Sequence, residues 1–215
     1  MSLLDQITAF HRPIMTLFYV IDTSDSMDGD KIGSVNSAME EAILVDLPEI
    51  STIDDYLEIR VAIMQFSSGC SWITPSSDPI SIGDVFWDDL HANGSTDLGA
   101  AFVELDKKLS KNEFLEFDPY TLHRPVILLF SDGHPTDNWE KGLEQLKKNK
   151  YFKHAIKVAI AIGDEADKDV LSTFTGTKES VITVNDKHAL LALICDAIVK
   201  DDNPVNIDDI DWSEW

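Results

Sequence analysis

The sequence predicts an α/β protein: a doubly wound, mostly parallel sheet with helices on both faces and one antiparallel edge strand. Three observations lead there. Short, almost continuously apolar runs occur at 15–21, 125–130 and 155–162, as in strands buried on both faces. Between them, apolar residues recur every three or four positions, which makes helices with one buried side. Strands and helices alternate along most of the chain, the pattern of parallel pairing through crossover connections.

Taken in order, residues 1–13 form a leader ending in His11-Arg12-Pro13, residues 14–200 the folded domain, and residues 201–215 an acidic tail. Met15 to Ile21 is the first strand, and Asp22 to Asp30 a polar loop containing Gly29. Ile32, Val35, Met39, Ala42, Ile43 and Leu47 trace a helix face that Pro48 should end. Leu57 to Phe66 reads as the second strand. Ser67-Ser68-Gly69 hairpins it to a short strand at Cys70 to Thr74.

Residues 75–94 are irregular, with Val85-Phe86-Trp87 expected to pack somewhere. Leu98, Ala101, Phe102, Leu105 and Leu109 mark the next helix, with Ser95, Thr96 and Asp97 suited to its cap. Residues 110–124 are a connector. The strand at 125–130 ends in Ser131-Asp132-Gly133. Asp137 and Glu140 suggest a capped helix start, with Trp139, Leu143 and Leu146 on its face. Ala155 to Ile162 is a strand, Val170, Leu171 and Phe174 sit on a short helix, and Val181 to Val184 is the last strand. Ala189 to Ile198 should form the final helix.

Of the 215 residues, 44% are hydrophobic and 26% charged, enough apolar material for one large core. The formal net charge is -22. Such a field repels phosphate backbones and anionic bilayers, so neither nucleic acid nor membrane is an expected partner. No apolar run approaches the ~20 residues a spanning helix needs. The N-terminal residues do not read as a signal peptide, and Cys70 and Cys195 have no metal-ligand spacing. The expectation is a cytoplasmic protein with two reduced thiols.

Three segments carry the chemistry. Asp22-Thr23-Ser24-Asp25-Ser26 puts a carboxylate and two hydroxyls at alternate positions just after a buried strand. Gly94-Ser95-Thr96-Asp97-Leu98-Gly99 opens a helix, and Ser131-Asp132-Gly133 closes a strand. Ligands of open α/β sheets gather beyond the carboxyl ends of the strands, so the fold can bring Asp22 and Asp132 together. Hydroxyl and carboxylate oxygens suit hard cations: Mg²⁺ first, with Mn²⁺ or Ca²⁺ as the other candidates. Each segment alone is an ordinary cap or turn; together, in order, they point to a metal. So few ligands would leave coordination positions open for water or an incoming oxygen.

These segments resemble a von Willebrand factor A domain with a metal-ion-dependent adhesion site, a Rossmann-like fold. Its signature is Asp-x-Ser-x-Ser, then a Thr, then an Asp. The resemblance covers roughly residues 14–200 and implies that Ser24, Ser26 and Thr96 bind the metal directly or nearly so. It implies that Asp22 and Asp132 bind it directly or through water, and that a partner protein's carboxylate fills the vacant position. Ile21 to Met27 and Ser131 to Asp137 further resemble bacterial tellurium-resistance TerY-type proteins. Those are compact intracellular A domains proposed to act beside a kinase and a phosphatase in stress signalling.

The expectation is therefore a binding module and not an enzyme. The competing reading is a metal-dependent phosphohydrolase with Asp22 as nucleophile and Asp132 as metal ligand. Ser rather than a second Asp at position 24, and the lack of a placed Lys or Arg pair, weigh against it. A third reading is a subunit whose metal only stiffens its loops. Neighbouring Asp25, Asp28 and Asp30 read as solvated acids, and His134 as an exposed histidine. Asp164-Glu165-Ala166-Asp167 reads as a helix start, since no GxxxxGK[ST] accompanies it. The tail holds six acids, no base, Trp212 and Trp215. It is expected to solubilise the chain, or else to support weak self-association of an otherwise monomeric protein by offering a carboxylate to a neighbour's metal.

Overall fold

The computed structural model describes residues 14–52, 57–110, 113–114 and 123–184. The leader, the expected final helix at 189–198, Cys195 and the acidic tail lie outside the described residues.

Strand β1 (Ile14–Asp22) is buried along its whole length. It pairs in parallel with β2 (Glu58–Ser67) on one side and with β5 (Val126–Ser131) on the other. Beyond β5 follow β6 (Ile156–Ala161) and β7 (Val181–Thr183), both parallel. β3 (Gly69–Trp72) and β4 (Ile80–Ser81) add antiparallel to the outer side of β2. The expected parallel sheet with an antiparallel edge is thus observed; β4, too short for a periodicity signal, was not expected.

Alternation along β1 builds two cores. Met15, Leu17, Tyr19 and Ile21 face one cluster with Ile32, Val35 and Met39 of α1 (Asp30–Glu41). Phe18 and Val20 face the other. That second cluster takes in α3 (Leu98–Lys108), α4 (Trp139–Leu146), α5 (Lys150–His154) and α6 (Lys168–Thr175). The Phe102 and Phe174 rings stack there, 5.5 Å between centroids.

Several local expectations are corrected. Pro48 does not end the first helix. After α1 the helix widens into a π turn (Ala42–Asp46) in which Leu47 N–H reaches back five residues to Ala42. Pro48 then sits in the first turn of α2 (Leu47–Ile50), a position that proline tolerates. α5 was not expected: at five residues it is too short for a periodic signal. In the 85–87 triplet Val85 and Trp87 pack against the first core, but Phe86 is 85% exposed.

Asp137 caps a different helix from the one expected. Its two oxygens accept from Gly99 N and Ala100 N, at 3.0 and 3.1 Å, satisfying free donors at the start of α3. α4 is capped instead by Asn138, which accepts from Lys141 N. Asp167 does cap α6, accepting from Asp169 N and Val170 N, so the helix start read at 164–167 is observed.

The α3–α4 contact is close because both helices present glycine. A Cβ on Gly142 would sit 2.6 Å from the Gly99 carbonyl oxygen. Gly142→Ala should therefore destabilise the protein by about 1–3 kcal/mol, read as a lower urea midpoint at unchanged slope. An unchanged midpoint would mean that the two helices can separate at no cost.

Candidate metal centre

Buried polar residues are uncommon in the described part of the chain, and most gather in one place. Asp22, Thr23, Ser24, Thr96, Ser131 and Asp132 are all buried, around the carboxyl ends of β1 and β5. Those strands are adjacent and in register, with Ile21 beside Phe130, so the loops that follow them meet.

Asp22 is the centre of the group. Ser24 donates to Asp22 Oδ1 twice, from its backbone N at 3.0 Å and its Oγ at 2.6 Å. Ser131 Oγ donates to Asp22 Oδ2 at 2.6 Å and itself accepts from Gly133 N at 2.9 Å. Ser24 Oγ and Ser26 Oγ lie 3.1 Å apart. The Ser24 hydroxyl thus folds back onto the Asp22 carboxylate, and Ser26 Oγ lies beside Ser24 Oγ, through a short 3₁₀ turn at Asp25–Met27.

Asp132 lies next to this group and is fully buried. Its Oδ2 accepts from Lys31 Nζ at 2.8 Å, and its Oδ1 from His134 N at 3.2 Å. Thr96 is joined to the others through backbone and neighbouring residues. Its N donates to Thr136 Oγ1 at 3.0 Å, and its carbonyl accepts from Thr136 N at 2.9 Å, which ties it to the loop after β5. Two further bonds tie the 93–96 loop to the first motif: Gly94 N donates to Asp25 Oδ1 at 2.8 Å, and Asp25 N donates to the Gly94 carbonyl. All five predicted residues thus stand on three loops bonded to one another.

Two of those loops need glycine. Gly94 has φ +80, and a Cβ there would strike Ser68 Oγ at 2.6 Å. Gly133 has φ +75, and a Cβ would strike the Asp167 carbonyl at 2.6 Å. Left-handed backbone and close approach together exclude other residues cheaply fitting either turn.

The two carboxylates differ electrostatically. Burial pushes the Asp22 carboxyl above its ordinary range; hydrogen bonds from Ser131 and Ser24 oppose that, and the charge of Asp132 adds to it. Burial acts on Asp132 in the same sense, but the Lys31 hydrogen bond and charge and the neighbouring Ser26 hydroxyl outweigh it, and its carboxyl is held low. A buried acid pushed up has an ionised form that the fold disfavours, and a nearby cation would relieve that.

The donor set fits a hard divalent ion. It consists of carboxylate and hydroxyl oxygens, with no imidazole or thiolate among them. Among the described residues no three His, Cys, Asp or Glu side chains form a metal cluster, so the hydroxyls would have to complete the site.

Sequence reasoning missed four residues that shape this centre. Ser131 was seen only as part of a turn, though it bonds Asp22 directly. Thr136 and Asp137 hold Thr96 and the start of α3, and nothing in local spacing announces such long-range bonds. Lys31 lies nine positions after Asp22, in the first turn of the following helix, a position that could have drawn notice. Asp25, read as a solvated acid, is exposed but bonds Gly94. His134 is exposed as expected, with its Nε2 3.1 Å from the Glu165 carbonyl.

The family model of the von Willebrand factor type A domain matches residues 17–194. The chain belongs to that family. No curated protein sequence matches it. Solved structures resemble it in fold at low identity. The open conformation of the pilus adhesin SpaC from Lactobacillus rhamnosus GG is 14% identical with a TM-score of 0.59, over 87% of this chain and 30% of that one. Manganese-loaded TRAP protein of Plasmodium vivax is 14% identical with a TM-score of 0.53, over 84% of this chain and 72% of that one. Proximal thread matrix protein 1 of the mussel byssus, solved with a zinc-occupied MIDAS motif, is 14% identical with a TM-score of 0.51, over 87% and 46%. The chain spans less than half the length of several of the structures it matches, including the byssus protein and the adhesin.

Ser131→Ala should leave Asp22 Oδ2 and Gly133 N without a partner in a buried site. The expected loss is about 1–3 kcal/mol of stability, measured by chemical denaturation in EDTA. A loss near zero would show that water reaches Asp22.

Proposed function

We propose that this chain is a metal-dependent protein-interaction module. Ser24, Ser26 and Thr96 would hold a divalent cation, Mg²⁺ in the cell, with Asp22 and Asp132 as direct or water-mediated ligands. The ion supplies a positive centre with an open position, on a chain whose net charge is -22. A carboxylate from a partner protein is the ligand such a centre favours, because the ion dominates its local electrostatics. The observation that carries this reading is the convergence of two buried carboxylates and the Ser24–Ser26 hydroxyl pair on three mutually bonded loops. Metal-loaded structures of similar fold, one with manganese and one with zinc, support it.

The finer role follows the likeness of residues 21–27 and 131–137 to TerY-type proteins. On that likeness the chain works in the cytoplasm in tellurite or stress-response signalling, with a kinase or phosphatase of the same system as partner. No helix among the described residues is long and apolar enough to cross a membrane. The module has no catalytic role in this reading; hydrolysis of a generic phosphate ester in Mg²⁺, lost in Asp22→Asn, would contradict it.

Metal should stabilise the folded chain. A ligand at one hundred times its Kd contributes about 2.7 kcal/mol, so thermal melting should shift upward by several degrees in saturating Mg²⁺ or Mn²⁺. Ser24→Ala/Ser26→Ala should remove that shift. Asp22→Asn should be no less stable than the parent in EDTA, since it removes a charge that burial disfavours, yet gain nothing from metal. A shift that survives in both variants would place the ion elsewhere. Partner capture in Mg²⁺, lost in EDTA and in the double-serine variant, would test the docking step itself. Capture unchanged in all three conditions would mean that binding uses another surface.

A further inference from the structure

Lys31 has no part in the family signature quoted above, yet it reaches the centre of the site. It stands in the first turn of α1, four residues after Met27. Its Nζ donates to Asp132 Oδ2 at 2.8 Å, and its side chain is only 29% exposed. The stem is built in. Gly163, two residues beyond β6, has φ +85, and a Cβ there would lie 2.9 Å from Lys31 Cε. Glycine at 163 therefore leaves the space through which the lysine chain passes. A flexible side chain has been given a path to one buried carboxylate.

We propose that Lys31 is a tethered counter-ion of the metal site, competing with the divalent cation for Asp132. This inference rests on the metal reading above. In the metal-free chain the ammonium offsets one of two buried negative charges. An entering cation meets that positive charge. It must either displace Lys31 from Asp132 Oδ2 or reach Asp132 through water while the pair persists. Either way Lys31 weakens metal binding and steadies the metal-free fold. With Lys31 retained, two carboxylates, one ammonium and a divalent ion leave the centre with one net positive charge, which favours an anionic partner group at the open position.

The test is calorimetric titration of Mn²⁺ into the full chain and into Lys31→Met, which keeps the stem over Gly163 and removes the charge. Thermal melting in EDTA is read alongside. Lys31→Met should bind Mn²⁺ about tenfold more tightly, from lost cation–cation repulsion. It should also melt a few degrees lower in EDTA, since Asp132 then stays buried without its partner. Lys31→Arg should bind like the parent. Lys31→Gln takes the place of the Met variant if that one does not fold. Unchanged or weaker Mn²⁺ binding in the neutral variant, with the parent binding normally, would overturn the inference and leave the metal reading standing. Absence of Mn²⁺ binding in every chain would overturn both.

Discussion

Asp22 is a carboxyl group with no surface exposed to solvent. Everything at this end of the molecule answers that constraint. Ser24 bends back to donate twice to one oxygen, and Ser131 crosses from the neighbouring strand to donate to the other. Those bonds set the path of the 22–26 loop and the turn after β5. They do not remove the cost of burial, since the carboxyl remains pushed up. A buried acid left in that condition costs stability at neutral pH unless a cation joins it. A bound cation would relieve that cost.

The sheet explains why the acids meet. The chain leaves β1 toward β2 on one side and returns to β5 on the other, so β1 is where the winding direction changes. Loops after adjacent strands diverge at such a point and open a crevice at the carboxyl ends. Asp22 is the last residue of one strand, and Asp132 directly follows the other. The third loop comes in over the top, and its Thr96 is held from both sides, by Thr136 and by the Asp25–Gly94 bonds. The 163–167 loop adds support, with Asp167 N donating to the Asp132 carbonyl. The centre is therefore a product of topology, and single loops could not assemble it.

Much of this was legible in the residues. The apolar runs at 15–21 and 125–130 located the two strands that matter, because burial on both faces leaves no room for polar alternation. The alternate carboxylate and hydroxyls located the first loop, and Ser-Asp-Gly the second. What could not be read was non-local or too short. Asp137 looked like the cap of its own helix but serves α3, since capping depends on what lies across space. Pro48 looked like a stop, but the π turn before it shifts the hydrogen-bond register and makes it a start. The five-residue helix at Lys150–His154 and the two-residue strand at Ile80–Ser81 carry no measurable period. Nothing in the spacing pairs Lys31 with Asp132, because the two lie 101 positions apart.

Three loops together should make one divalent-cation site. Diffraction from crystals grown with Mn²⁺, recorded at the manganese absorption edge, tests it most directly. A single anomalous peak is expected beyond the carboxyl ends of β1 and β5, with Ser24, Ser26 and Thr96 oxygens in its coordination shell and Asp22 and Asp132 beside it. No peak there at saturating Mn²⁺, or a peak whose ligands exclude these residues, would contradict it.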